Sequence, residues 1–151
     1  MHLRSGVSMV KLDLGSGPRD FWVSDESDWL HLDCEPYEGV IQWTCPEPIP
    51  VKDRSVEVAY LGQLLVELSI EQQLALADEL VRVMKDDGVI RVHDYDGVLG
   101  YPEFFRRLEQ HGWRRVKEEL VNVFEEPDGT ILCTYMVELK KIRWCRVVIK
   151  F

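Results

Sequence analysis

No apolar run in the sequence approaches the roughly 18 residues that a membrane-spanning helix needs. Positive charge is scarce: 18 Lys and Arg stand against 27 Asp and Glu, leaving a net charge of −9 at pH 7. A chain of that sign repels phosphate backbones, which makes DNA or RNA a poor partner. Basic residues gather only at Arg106, Arg107, Arg114, Arg115 and Lys117, and again at Lys140, Lys141, Arg143 and Arg146. Such runs are expected to be solvated helix faces and strand ends. Cysteine is sparse too. Cys34, Cys45, Cys133 and Cys145 form no C-x-x-C pair, and no histidine pair at ligand spacing accompanies them. That excludes a disulfide scaffold, argues against a metal site, and fits reduced thiols in a cytoplasmic setting. Met1 to Val10 lacks a continuous apolar stretch, so it reads as a loose tail over residues 1–8 rather than a signal peptide.

Two glycine signatures are also incomplete. No G-K-[ST] is present, which rules out a P-loop, and Asp20 occupies the place of the third glycine of a nicotinamide-binding loop. What remains is an ordinary globular composition. The 151 residues are 46% apolar and 30% charged, which suits one domain with one core.

The apolar period changes several times along the chain, as expected of alternating strands and helices. Met9–Leu14, Trp29–Asp33, Gly39–Trp43, Ser55–Leu61 and Val89–His93 read as strands. Cys45–Pro50 carries three prolines and reads as an extended loop. A helix is expected from Ile70 to Met84, with Ile70, Leu74, Ala77, Val81 and Met84 on one face. Ser69 and Gln72 supply a capping box, and Gly88 closes the far end after Lys85-Asp-Asp87. Pro102–His111 reads as a second helix followed by Gly112. Arg115–Phe124 and Thr130–Lys140 then form a hairpin across Pro127-Asp-Gly129, and Ile142–Phe151 has β character without an obvious partner. The order predicts an α/β chain with a mostly parallel sheet, whose ligands bind at the carboxyl ends of the strands.

Asp13-Leu-Gly-Ser-Gly-Pro18 places two glycines directly after a strand, where the backbone must turn sharply and come close to a ligand. Asp33 ends the next strand and can accept hydrogen bonds from ribose hydroxyls. Asp20, Asp25, Glu26 and Asp28 disfavour a pyrophosphate here and favour a ligand with a cationic centre. His93, Asp94 and Asp96 cluster at a strand end, where one could serve as a general base; the plainer reading is turn carboxylates and a satisfied sheet histidine. Phe21, Trp22 and Trp29 flank the acidic loop, either as a lid or docking surface or as filling for the space of a missing first helix. Trp144 reads as packing or an oligomer contact.

Lys11–Pro18 resembles motif I of the class I S-adenosylmethionine-dependent methyltransferases. His31–Asp33, Pro48–Tyr60 and Leu80–Val92 resemble three further stretches of that family in the same order, closest to its short type-11-like members. The resemblance runs from about Val10 to Asp96. It implies a Rossmann-like class I methyltransferase sheet in a single domain, mostly parallel with a C-terminal antiparallel hairpin and an abbreviated first crossover. It implies S-adenosylmethionine as cofactor, with Gly15, Ser16 and Gly17 against its methionine part. Asp13 would hold that loop or the amino group. Asp33 would bind the ribose with Cys34 beside it. Thr44 and Cys45 would lie near the adenine, and Leu61 and Gln63 would border the methyl group. The implied activity is methyl transfer to an acceptor that is a small molecule rather than nucleic acid, in a site open enough to be completed by a second subunit. No catalytic residue is assigned. Gln63 and Glu67 stand where such relatives often carry histidines, and only Gly88 survives of a paired-glycine turn. These changes support an alternative, a non-catalytic binding or interaction module that keeps the fold, with or without the cofactor.

Overall fold

A computed structural model describes residues 10–17 and 29–142. Five parallel strands come first: β1 (Val10–Leu14), β2 (Trp29–Asp33), β3 (Ile41–Gln42), β4 (Val56–Gly62) and β5 (Met84–Tyr95). Two antiparallel strands follow, β6 (Trp113–Glu125) and β7 (Ile131–Lys141). They join in one seven-stranded sheet of order β3-β2-β1-β4-β5-β7-β6. Helices α1 (Ile70–Val83), α2 (Gly97–Gly100) and α3 (Pro102–Gln110) lie in the connections around β5, and a 3-10 turn spans Leu65–Glu67. Among the described residues no helix is long and apolar enough to cross a membrane.

Strand register sorts the side chains into two faces. Leu12 pairs with Leu30 and Ala59, Leu14 with Leu32 and Leu61, and these continue to Ile90, Val92, Leu139 and Val137. This face shares one buried cluster with Leu76, Ala77, Leu80 and Val83 of α1 and with Phe104, Phe105 and Leu108 of α3. Ser69 caps α1 through a reciprocal pair with Gln72, as its sequence predicts.

The expected elements shift in three places. The third strand contracts from Gly39–Trp43 to two residues, because Trp43 turns inward and its indole N–H donates to the Glu47 carbonyl at 2.8 Å. α1 buries Gln73, Leu76, Ala77, Leu80 and Val83, not the stripe through Ile70, Leu74 and Val81; Ile70 is exposed. The helix also ends at Val83, and Met84 already belongs to β5. Lys85–Gly88 is therefore not a helix-closing turn. It is an irregularity inside β5, lying between the Val56–Met84 and Val58–Val89 pairs. Residues 1–8, Phe21, Trp22 and 143–151 lie outside the described residues, and with them the expected tail, part of the aromatic lid, and Trp144.

The proline-rich loop cannot donate its full share of backbone hydrogen bonds, so α1 supplies them. Arg82 donates to the carbonyls of Ile49 at 2.9 Å and Val51 at 3.0 Å, and to Asp53 at 2.8 Å. Glu79 accepts the Ile49 N–H at 2.7 Å and pairs with Arg82. That pairing holds the Glu79 carboxyl below its ordinary range.

Two consequences are measurable. A Cβ on Gly88 would lie 3.0 Å from the carbonyl oxygens of Val56 and Glu57, so Gly88→Ala should cost about 1–3 kcal/mol in urea unfolding. Glu79, with a depressed folded pKa, stabilises the fold above its unfolded value of 4.5, and the contribution is lost as pH falls through the lowered one. Glu79→Gln should therefore be less stable at pH 7, and the gap to wild type should narrow as pH drops below about 4.5.

Candidate functional site

At the end of β1 the backbone folds over β2. Gly15 and Ser16 both donate their N–H groups to the Leu32 carbonyl, at 2.9 and 3.1 Å. Gly15 has φ +73°, and a Cβ there would press on Leu64 at 3.3 Å, so the turn demands glycine on both counts. Gly17 has φ +58°, and among the described residues nothing lies within 4 Å of where a Cβ would stand. Its N–H donates to Asp33 Oδ2 at 2.8 Å, and Asp33 Oδ1 accepts the Glu35 N–H at 3.0 Å. One carboxylate thus fixes both the glycine turn and the start of the next loop. Each of its oxygens keeps a further lone pair for a ligand hydroxyl.

A cavity of about 550 Å³ opens at these strand ends. Gly15, Asp33, Cys34, Glu35 and Tyr37 line one side, Trp43, Thr44 and Cys45 another, and Gly62, Gln63, Leu64, Glu67, Leu68 and Gln72 a third. Its size suits a ligand of cofactor dimensions. Among the described lining residues the ionised groups are carboxylates, with no Lys or Arg. A cationic ligand centre suits that field better than a phosphate.

Six expected residues come together here: Gly15, Asp33, Cys34, Thr44, Cys45 and Gln63. Gly17 reaches the wall only through Asp33, and the Ser16 hydroxyl is turned to the Gly17 carbonyl at 3.1 Å. Leu61 is fully buried in the core. Asp13 is buried on the opposite sheet face, where its carboxylate meets His31 Nδ1 at 2.7 Å. Burial pushes its carboxyl up despite that partner. Tyr37 and Trp43 carry no motif that would have marked them, and Glu67 was marked only by its place after β4. Gln72 was visible only as a capping residue, yet its amide also donates to the Cys45 carbonyl at 3.2 Å. The Cys45 thiol returns a contact to the Gln72 carbonyl at 3.4 Å, and burial pushes that thiol up to about 11. The Cys34 thiol is likewise raised, by desolvation and by Asp33. Neither is a thiolate nucleophile at neutral pH.

The strand-end trio separates into different roles. His93 sits between Tyr60 Oη, at 3.2 Å from Nδ1, and Thr134 Oγ1, at 3.1 Å from Nε2; desolvation lowers its pKa, so the ring is neutral at pH 7. Asp94 is 1% exposed and gathers the Tyr101 hydroxyl at 2.8 Å, the Tyr95 N–H at 2.8 Å and the Val66 N–H at 3.3 Å. It is a latch between β5, the 3-10 turn and α3, with no room to act as a base on a ligand. Asp96 takes a left-handed φ of 59° at the start of α2. Gln63 has φ 51° and is held by its N–H bond to the His93 carbonyl at 2.7 Å. A non-glycine residue in that region carries strain, and here it sits on the cavity wall.

No family model and no curated protein matches the sequence. Solved structures do match in fold. An S-adenosylmethionine-dependent methyltransferase from Archaeoglobus fulgidus is 16% identical with a TM-score of 0.64, over 88% of this chain and 86% of that one. One from Methanosarcina mazei is 11% identical with a TM-score of 0.64, over 87% of this chain and 92% of that one. The 1,6-didemethyltoxoflavin-N1-methyltransferase of Burkholderia thailandensis, solved with 1,6-didemethyltoxoflavin and S-adenosylhomocysteine bound, is 14% identical with a TM-score of 0.63, over 89% of this chain and 71% of that one.

The latch reading of Asp94 has a direct test. Asp94→Ala strands one buried and two partly buried donors and should cost about 3 kcal/mol in chemical unfolding. An unchanged midpoint would return Asp94 to the list of candidate bases.

Proposed function

From its Rossmann-like class I methyltransferase fold, we propose that the chain binds S-adenosylmethionine in the cavity at the ends of β1, β2 and β4 and transfers a methyl group to a small-molecule acceptor. The observation that carries the reading is the join between the glycine turn and Asp33. It sets the Gly17 backbone beside a carboxylate that lines the cavity, with both carboxylate oxygens oriented by backbone N–H groups.

The residues present fit the cofactor. Gly15 and Gly17 let the backbone approach its methionine part. Asp33 accepts from the ribose hydroxyls, with Cys34 at its side. Trp43, Thr44 and Cys45 present an apolar and backbone surface to the adenine, and Gln63 stands toward the methyl group. Asp33, Glu35 and Glu67 lend the cavity negative charge, and a sulfonium gains from that charge. Asp13 supports the turn from the far side of β1, through its bond to His31.

The cofactor supplies an activated methyl group on a cationic sulfur. What the chain adds is alignment and exclusion of water, so a dedicated base is needed only if the acceptor must lose a proton. His93 and Asp94 are fully engaged within the fold, which favours an acceptor that is already nucleophilic.

Calorimetric titration with S-adenosylmethionine and S-adenosylhomocysteine tests the proposal. Wild type should bind in the micromolar range, and Asp33→Ala should weaken binding at least about tenfold. No heat of binding at millimolar ligand would defeat it.

A further inference from the structure

We propose that the chain forms a two-fold dimer in which β6 pairs antiparallel with β6 of a second copy. β6 is the outer strand of the sheet, and every residue in it after Trp113 is exposed. Half of the exposed large apolar side chains among the described residues lie on this one hairpin: Val116, Leu120, Val121, Val123, Phe124 and Ile131. The hairpin also outruns its neighbour. Pairing of β5 with β7 stops at Tyr95–Thr134, whereas β6 and β7 stay paired as far as Glu125–Ile131. An edge that is long, apolar and without a further strand among the described residues is a template for another strand.

The charge pattern selects the occupant. Arg114, Arg115 and Lys117 stand at the start of β6, Glu125 and Glu126 at its end, and Leu120–Phe124 forms an apolar stretch between them. Antiparallel pairing of two identical strands lays the basic start of each against the acidic end of the other, twice by symmetry. Parallel pairing would set like charge on like. Within the chain Glu118 accepts the Val98 N–H at 3.3 Å, Glu119 lies 3.2 Å from Lys117, Arg115 lies 3.9 Å from both Glu109 and Glu118, and Arg114 donates to the Glu109 carbonyl, so the pairing between copies rests on charge at the two ends rather than in the middle. Charges and register irregularities are common devices against edge pairing. Here, however, the two ends of the strand carry opposite charge, Arg114 and Arg115 against Glu125 and Glu126, which opposes parallel pairing and supports antiparallel pairing. A second copy of this chain carries the matching pattern by construction.

Light scattering and sedimentation equilibrium on the full chain test the proposal. Wild type should show the mass of two chains at micromolar concentration. Arg114→Glu with Arg115→Glu should raise the dimer dissociation constant at least about tenfold. Adding Glu125→Arg and Glu126→Arg to that variant should restore the dimer, a rescue that general destabilisation would not produce. Val123→Lys, on a fully exposed part of the strand, should also give monomer while leaving the thermal transition in place. A single-chain mass for wild type throughout the range overturns the proposal. So does a dimer indifferent to both Val123→Lys and the charge reversal.

Discussion

Along β1, β2, β4 and β5, Leu12, Leu14, Leu32, Leu61, Ile90 and Val92 alternate with Lys11, Asp13, His31, Tyr60, Arg91 and His93, and parallel register brings each set to one face. Every other feature follows from that separation. The apolar face needs cover, and α1 and α3 provide it from the crossovers on either side of β5. The polar face satisfies itself laterally: Asp13 with His31, Tyr60 with His93, His93 with Thr134, and Arg91 with Glu138. Buried polar groups that find partners across strands fix the register as firmly as packing does, since a one-residue slip would bury every one of them unpaired. Register in turn sets which backbone groups meet at the carboxyl ends. That is why the Gly15 N–H reaches the Leu32 carbonyl and the Gly17 N–H reaches the Asp33 carboxylate.

The second wall of the cavity depends on a different device. The stretch from Trp43 to Asp53 has little regular structure of its own, and its prolines withhold donors. Arg82 and Glu79 on α1 supply both senses of hydrogen bond to it, and Gln72 holds Cys45 one turn from the helix start. α1 therefore does two jobs with two sides. Leu76, Leu80 and Val83 enter the core, while Gln72, Glu79 and Arg82 hold the loop that faces Asp33 across the cavity. The pairing of Glu79 with Arg82 is only partly exposed, so it orients the guanidinium toward the loop carbonyls more than it contributes as an isolated surface ion pair.

Much of this was legible in the sequence, for reasons that also explain what was not. The strand, glycine turn and acidic strand end announced Asp33 because local backbone demands and a parallel neighbour leave few arrangements. Tyr37 gave no signal, Glu67 stood out only by its place after β4 and Gln72 only as a cap, because the path that brings each to the cavity is a tertiary matter. The buried side of α1 was misread because two stripes compete at helical spacing. The one through Ile70 and Val81 is the more apolar, yet Gln73 lies on the buried one, its amide donating to the Leu68 carbonyl at 3.2 Å. Gly88 looked like a helix stop. Its actual constraint is the close passage of β4 carbonyls, which no local pattern encodes.

The carboxyl ends of β4 and β5 are tied as one unit. Gln63 donates to the His93 carbonyl, Val66 donates to Asp94, and Asp94 holds Tyr101 at the entrance to α3. On the proposed reading, Gln63 and Glu67 face the cofactor side, whereas α3 packs with α1 in the core behind them. The strain at Gln63 is then supported by β5 rather than by its own loop, and any displacement of α3 that loosens Asp94 reaches the cavity through two backbone hydrogen bonds. Methyl transfer depends on alignment more than on acid or base chemistry, and such a rigid connection between the two sides serves it directly. His93 and Asp94, two of the strand-end groups that might have moved protons, are instead committed to holding the geometry.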